Sequence, residues 1–181
     1  SFSRLHQADP VLGVDMSSTG EVGCIGDDFD EALLNAMIAV GYSVPKKNVM
    51  LSSGAAKSKA DLLEPSAVLQ KKGYNIFATS GTAKFLNENG IKATPVMWPD
   101  EDPNAENNVM QMIADHRFDL IINIPKNHTK RELTNGYRIR RGAIDHNIPL
   151  ITNARLAKAF IEAFTSLQLE DIQIKSWQEY E

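Results

Sequence analysis

The chain has 181 residues, of which 43% are hydrophobic and 23% charged, and its formal net charge is −4. This composition is typical of a soluble globular domain, and the modest, dispersed charge argues against a general nucleic-acid-binding or anionic-membrane surface. The single cysteine, Cys24, excludes an internal disulfide, no spacing indicates a metal site, and no apolar run approaches the roughly 20 residues that span a bilayer. We therefore expect a cytoplasmic protein, and a chain that starts at Ser1 suggests a piece of a longer one.

The first 47 residues differ in pattern from the rest. A glycine- and serine-rich stretch precedes a predicted helix over 28–40, and the proline- and lysine-containing residues 43–47 are typical of a linker. We place a domain boundary there, with 1–47 as an appendage and 48–181 as the main domain. We expect the apolar face of the helix to fold back on this domain or to pack on another copy. This face is formed by Leu33, Leu34, Met37 and Ile38.

From residue 48 onward, short apolar or β-branched runs alternate with helical patterns. This alternation predicts an α/β fold with a doubly wound, flavodoxin-like sheet of five parallel strands. The predicted strands lie near 48–52, 74–78, 93–97, 120–124 and 149–152. The predicted helices lie near 60–72, with Pro65 splitting or kinking it, and near 83–89, 107–116, 137–146 and 155–167. After residue 169 we expect a short extra strand and a tail.

The stretch FATSGTAKFL joins the second predicted strand to the next helix. Residues 79–82 would form the turn at that helix N-terminus, where free backbone N–H groups and the helix dipole attract an anion. Gly81 permits close backbone approach, while Thr79, Ser80 and Thr82 supply hydroxyl groups. A phosphate or carboxylate fits such a turn, and the alternative is that Ser80 or Thr82 only caps the helix.

Other strand ends carry residues that suit the same kind of ligand, since ligands of parallel sheets bind beyond the carboxyl ends of the strands. The first strand ends in Ser52-Ser53-Gly54, with Lys59 following, and the third ends before Trp98. The fourth ends at Asn123 with Lys126 close behind. Lysine neutralises an anion, asparagine donates and accepts, and tryptophan walls a planar or acyl group. Because no nucleophile–base pair accompanies these residues, the sequence favours binding without catalysis.

Several motifs resemble one family. FATSGTAKFL, TPVMWP, DLIINIPKNHTK and GYRIRRGAIDHNIPLITN are similar to the methylglyoxal-synthase-like domain at the C-terminal end of the carbamoyl phosphate synthetase large chain. DPVLGVDMSSTGEVGCIG resembles the segment that closes the preceding ATP-grasp half. The resemblance implies a regulatory, effector-binding domain with no catalytic residue and no cofactor of its own. The parent ligase would use ATP with Mg or Mn, bicarbonate and glutamine-derived or free ammonia, for arginine and pyrimidine biosynthesis.

The resemblance also implies roles for individual residues. Thr79 and Thr82 match phosphate- or carboxylate-holding threonines, and Lys59 falls where nucleotide-regulated members carry a phosphate-binding lysine. Trp98, Asn123 and Asn135 match residues that hold the ligand in the acetylglutamate-activated members. Lys126 departs from that pattern, because those members have asparagine at this position. We favour a phosphorylated nucleotide or sugar phosphate such as UMP, IMP or phosphoribosyl pyrophosphate, with N-acetylglutamate as the alternative effector.

Other functions on the same fold remain open. A methylglyoxal-synthase-like lyase is one, although the acidic GPMGGDQ-type stretch of that enzyme is replaced here by MWPDEDPNAENN. The purine cyclohydrolase is another, although its KTLHP motif is absent. An oligomerisation module is a third. The resemblance names as partners the rest of the large chain, the glutaminase small subunit and a second copy, and it implies a mitochondrial location for a eukaryotic ammonia-dependent form.

Overall fold

The apolar runs of the sequence form the strands of a sheet in the computed structural model, which describes residues 2–11, 22–54, 56–125, 129–167, 172 and 175–180. Its strands are β1 (Asn48–Ser53), β2 (Asn75–Thr79), β3 (Ala93–Val96), β4 (Leu120–Ile124) and β5 (Leu150–Ile151). Its helices are α1 (Phe29–Ala39), α2 (Ala56–Asp61), α3 (Leu63–Lys71), α4 (Ser80–Glu88), α5 (Val109–Ala114), α6 (Lys130–Asp145) and α7 (Ala154–Ser166). Short 3-10 helices lie at Phe2–Arg4 and Trp177–Tyr180.

The five strands are all parallel and run in the order β3-β2-β1-β4-β5. This confirms the predicted five-stranded, doubly wound α/β sheet. The chain moves outward from β1 through β2 to β3 and then returns to the other side of β1, so the winding direction reverses between β1 and β4. There Ser52 is paired with Asn123, and Ser53 with Ile124. A crevice opens at such a reversal point because the flanking connections leave in opposite directions.

Hydrophobic side chains fill both faces of the sheet. Helices α1, α3, α4 and α7 cover one face, where Leu51 of β1 packs in the same cluster as the fully buried Phe160 of α7. Helices α5 and α6 cover the other face, where Met50 belongs to the same cluster as Ile139. Neighbouring residues of β1 thus enter opposite cores, as the alternation of side chains along a strand requires. Truncating a buried phenylalanine such as Phe160 to alanine costs about 3–5 kcal/mol.

Helix α1 folds back onto the domain. This is one of the two predicted arrangements, the other being packing on a second copy. Asp28 caps the helix by accepting a hydrogen bond from the Glu31 N–H at 2.9 Å. Leu34 and Met37 are buried in the core cluster that includes α7, whereas Ile38 remains exposed. The glycine- and serine-rich stretch ahead of this helix falls largely on residues 12–21, which lie outside the described part of the chain. The predicted C-terminal strand also falls largely outside it, on 168–171 and 173–174.

Two predicted helices have different bounds in the structure. The helix expected over 60–72 is split into α2 and α3, and Pro65 lies in the first turn of α3, where a helix needs no N–H from it. The helix expected to begin at 137 begins at Lys130. Its N-cap, Thr129, accepts a hydrogen bond from the Glu132 N–H and donates one to the Glu132 carboxylate, so this pair caps the start of the helix.

Candidate anion-binding site

An open cavity lies at the carboxyl ends of β1, β2 and β4. This is the place that the reversal of strand order predicts for a ligand. Six of the nine predicted site residues line it: Lys59, Thr79, Gly81, Thr82, Trp98 and Asn123. The structure therefore brings together residues from β2, β4, α2, α4 and the segment after β3.

The start of α4 is tied to the end of β1. Strand β2 runs directly into the helix, with Thr79 as N-cap and Ser80 as the first helical residue, so 79–82 is not a separate loop. The Thr82 hydroxyl donates to the Ser53 carbonyl at 3.0 Å and accepts from the Ser53 N–H at 3.1 Å. The Thr79 hydroxyl donates to Ser52 Oγ at 3.2 Å and makes no capping bond to the first turn. The positive end of α4 therefore lies at the cavity without a side-chain cap.

The Ser53 side chain places a buried hydroxyl group beside the cavity. Ser53 is 5% exposed and lines the cavity, and its Oγ has no hydrogen-bond partner among the described residues. A buried hydroxyl without a partner costs about 1–3 kcal/mol, and buried polar atoms are rarely left so. This oxygen is shielded from solvent in the structure, so an anion in the cavity would reach it only after a small rearrangement.

Two cationic side chains border the cavity. Lys59, on α2, donates its ammonium group to the Gly81 carbonyl at 3.1 Å, which holds the charge beside the first turn of α4. Arg140, on α6, is 3% exposed and donates Nη1 to Asn123 Oδ1 at 2.8 Å. Because arginine can only donate, this bond turns the amide N–H group of Asn123 away from the guanidinium. Among the described residues that line the cavity, Lys59 and Arg140 are cationic and Glu132 is anionic, while Asp9 pairs with Arg140 from outside the lining.

Asn135 faces a neighbouring depression. The depression is lined by Trp98, Arg131, Glu132 and Asn135, so Trp98 and Glu132 border both spaces. The buried Asn135 donates its amide to Asp100 Oδ1 at 2.7 Å, and Arg131 donates to the same carboxylate at 3.0 Å. The Arg131 hydrogen bond is the main cause that lowers the pKa of Asp100 to about 2. The loop after β3 is thereby fastened to the first turns of α6.

The remaining predicted site residues lie elsewhere. Ser80 is exposed on the first turn of α4 and does not line the cavity, and Lys126 lies outside the described residues. Sequence reasoning missed Arg140: this residue lies inside the helix predicted over 137–146, but that helix stops short of Gly136, which leaves room for the guanidinium. A helix that begins at Lys130 places Gly136 and Arg140 on one face, one turn apart. The Thr-x-x-Glu pattern at 129–132 is the sequence feature that would have given this start.

The described residues show neither a metal-binding cluster nor a membrane-spanning helix. Within the described ranges, no three His, Cys, Asp or Glu side chains come together as they would around a metal ion. None of the helices in that part of the chain is both long and apolar enough to cross a membrane.

The domain that carries this cavity belongs to a known family. A family model described as "MGS-like domain" matches residues 61–152, half of the 181-residue chain, and the chain belongs to this family. The matched range includes β2, α4, β4 and α6, which carry most of the residues that line the cavity. The predicted family resemblance is confirmed at this level.

The similar proteins are long chains. "Multifunctional protein CAD" of Squalus acanthias is 45% identical over 175 residues, which cover 90% of this chain and 8% of that protein. "Multifunctional protein pyr-3" of Neurospora crassa is 44% identical over 184 residues, covering 98% of this chain and 10% of that protein. "Carbamoyl-phosphate synthase [ammonia], mitochondrial" of Homo sapiens is 40% identical over 166 residues, which cover 90% of this chain and 11% of that protein. The chain thus spans about a tenth of the length of these relatives.

Proposed function

We propose that this chain is the effector-binding regulatory domain of a carbamoyl phosphate synthase large chain, and that its effector is a phosphorylated nucleotide or sugar phosphate. The observation that carries the proposal is the buried Ser53 hydroxyl without a partner, which lies beside the uncapped start of α4. A helix N-terminus with a nearby unsatisfied donor is a ready-made phosphate site. The similarity to a relative named as a carbamoyl-phosphate synthase supports the choice of parent protein.

The charge of the wall favours phosphate over carboxylate. Lys59 and the positive end of the α4 dipole border the cavity, and Arg140 adds a cation that Asp9 already pairs with from the other side. A phosphate with a charge near −2 gains more from this arrangement than a single carboxylate does. Trp98 at the rim offers a flat apolar surface against which a base or sugar can pack.

N-acetylglutamate is the second candidate effector. Asn123 and Trp98 line the cavity and suit an amide and an acyl group. Asn135, however, donates its amide to Asp100, so a dicarboxylate that used this residue would first have to displace a carboxylate already bound there. This requirement makes acetylglutamate the weaker choice.

In the proposed parent, this chain contributes regulation and no chemistry. The parent would make carbamoyl phosphate from bicarbonate, glutamine-derived or free ammonia and ATP, with Mg or Mn, for arginine and pyrimidine biosynthesis. The chain itself would need no cofactor. Its partners would be the rest of the large chain and the glutaminase small subunit, in the cytoplasm, or in mitochondria for an ammonia-dependent form.

Calorimetric titration with UMP, IMP, phosphoribosyl pyrophosphate and N-acetylglutamate tests the proposal. We expect the wild type to bind at least one of the phosphorylated compounds. Lys59→Ala should weaken that binding about tenfold, or about 1.4 kcal/mol, because it removes a cation from the wall. Lys57→Ala is the matched control, since Lys57 lies on the same helix, is exposed and does not line the cavity. It should leave the affinity unchanged within about twofold.

Two results would contradict the proposal. Tight acetylglutamate binding that survives Lys59→Ala, with no nucleotide or sugar phosphate bound, would select the second candidate. Failure of all four compounds to bind or to raise the melting temperature would favour an assembly module, because a ligand that binds only the native state must stabilise it.

A further inference from the structure

The N-terminal segment, residues 2–11, is fastened to α6 by backbone contacts. The Arg141 guanidinium donates Nη1 to the carbonyls of Phe2 at 3.2 Å and Leu5 at 3.1 Å. The Tyr137 hydroxyl donates to the Gln7 carbonyl at 3.0 Å. The segment therefore lies along the helix that forms one wall of the anion-binding cavity.

Arg140 connects this segment to the cavity. Its Nη1 donates to Asn123 in the cavity wall, while its Nε donates to Asp9 Oδ1 at 2.6 Å and its Nη2 to Asp9 Oδ2. The Arg140 side chain is 4% exposed and that of Asp9 is 40% exposed. One buried guanidinium thus donates hydrogen bonds to the cavity wall on one side and to a half-exposed carboxylate of the N-terminal segment on the other.

The space around this guanidinium is tight. A Cβ atom on Gly136 would lie 2.9 Å from Arg140 Nη1, so only glycine leaves room for the group in its present position. A guanidinium binds a carboxylate and a phosphate through the same fork of N–H groups. Asp9 and Asn123 take three of the five guanidinium N–H groups, so a phosphate that reached the remaining two would share the charge of Arg140 with Asp9.

We propose that Asp9 is an internal competitor for the effector anion, and that occupation of the cavity loosens residues 2–11 from α6. The inference rests on the proposed function, because it requires an anion in this cavity. Coupling of two ligands through one group is reciprocal: if the anion weakens the hold on Asp9, then Asp9 weakens the hold on the anion by the same factor. Asp9 would thus set the affinity of the site, and the N-terminal segment would report its occupation.

The test compares Asp9→Asn with the wild type, using inorganic phosphate and UMP as probes in calorimetry. Asparagine keeps the shape of the side chain and one acceptor but removes the charge. Asp9→Asn should bind phosphate and UMP at least about fivefold more tightly, the lower end of typical couplings. Asp27→Asn is the control, since it makes the same change of charge at a residue that pairs with Lys175 and does not line the cavity. Its affinity should equal that of the wild type.

Hydrogen exchange followed by mass spectrometry supplies the second readout. In the wild type, saturating phosphate should speed amide exchange in the peptide that covers residues 2–11. In Asp9→Asn these amides should exchange faster before any phosphate is added, and phosphate should change them little. Melting temperatures of both variants check that the fold is intact.

Each outcome decides between the two proposals. If the wild type binds UMP but Asp9→Asn has the same affinity, or if phosphate slows exchange in residues 2–11, the competition is overturned and the proposed function stands. If only Asp9→Asn binds the probes, the competition is supported in its strongest form. If neither protein binds phosphate or UMP, both proposals fail.

Discussion

The Ser53 hydroxyl allows a prediction in which stability and ligand affinity change in opposite directions. Replacing Ser53 with alanine removes a buried oxygen that has no partner in the described part of the chain. The desolvation cost of about 1–3 kcal/mol disappears, and the small void left by one atom takes back less than about 1 kcal/mol. We expect Ser53→Ala to raise the free energy of unfolding of the ligand-free protein by about 1 kcal/mol, which raises the melting temperature by about 2–4 °C.

The same change should weaken anion binding. A hydrogen bond to a charged group contributes about 1.5–3 kcal/mol, so the dissociation constant for UMP or inorganic phosphate should rise roughly tenfold to a hundredfold. Thermal unfolding measures the first effect and calorimetric titration the second. A residue that served stability alone would not raise the free energy of unfolding and lower the anion affinity when it was replaced.

Ser66 provides the matched control. It is also buried, but its Oγ donates to the Leu62 carbonyl at 2.6 Å. Ser66→Ala should therefore lower the free energy of unfolding by about 1 kcal/mol and leave anion affinity unchanged. If Ser53→Ala destabilises the protein as much as Ser66→Ala does, or binds UMP as well as the wild type, the assignment of Ser53 to the ligand is wrong.

Two further predictions concern the acidic loop after β3. Because Arg131 lowers the pKa of Asp100 from 3.8 to about 2, the link between this loop and α6 should be complete above pH 3.8 and lost as the pH falls through about 2. Carboxyl NMR titration checks this, and Arg131→Gln should return the Asp100 pKa towards 3.8; an unchanged pKa would refute the cause given. We also expect no methylglyoxal from dihydroxyacetone phosphate, since the sequence motifs indicate no acid–base pair beside the anion site; turnover abolished by Asp100→Asn or Asp102→Asn would overturn this.

The sheet and most of the cavity could be predicted from local pattern. Parallel strands share their carboxyl edge, so polar residues at the ends of β1, β2 and β4 had to meet once the alternation of strands and helices was recognised. The pairing of Ser52 with Asn123 follows directly from this rule. Helix bounds were harder, since Asn135 and Gly136 have poor helix propensity and the tertiary contacts of α6 override it.

Contacts that bridge distant parts of the chain could not be predicted in this way. Arg140 and Asp9 are 131 residues apart, and nothing in the local pattern of either indicates the other. The unsatisfied Ser53 hydroxyl is likewise a property of its three-dimensional surroundings, because the sequence shows only a serine at a strand end. The choice between the two proposed effectors depends on such details of the wall, which explains why the motifs alone left both open.

The part of the chain ahead of β1 packs against helices on both faces of the sheet. Residues 2–11 lie against α6 on one face, and α1 packs against α7 on the other. A fragment cut at the compositional boundary near residue 47 would uncover the aromatic cluster around Phe160 and strip Arg140 of its carboxylate. The residues ahead of the compositional boundary therefore contact the helices on both faces of the sheet, and a fusion that transferred only 48–181 would carry the cavity without these contacts.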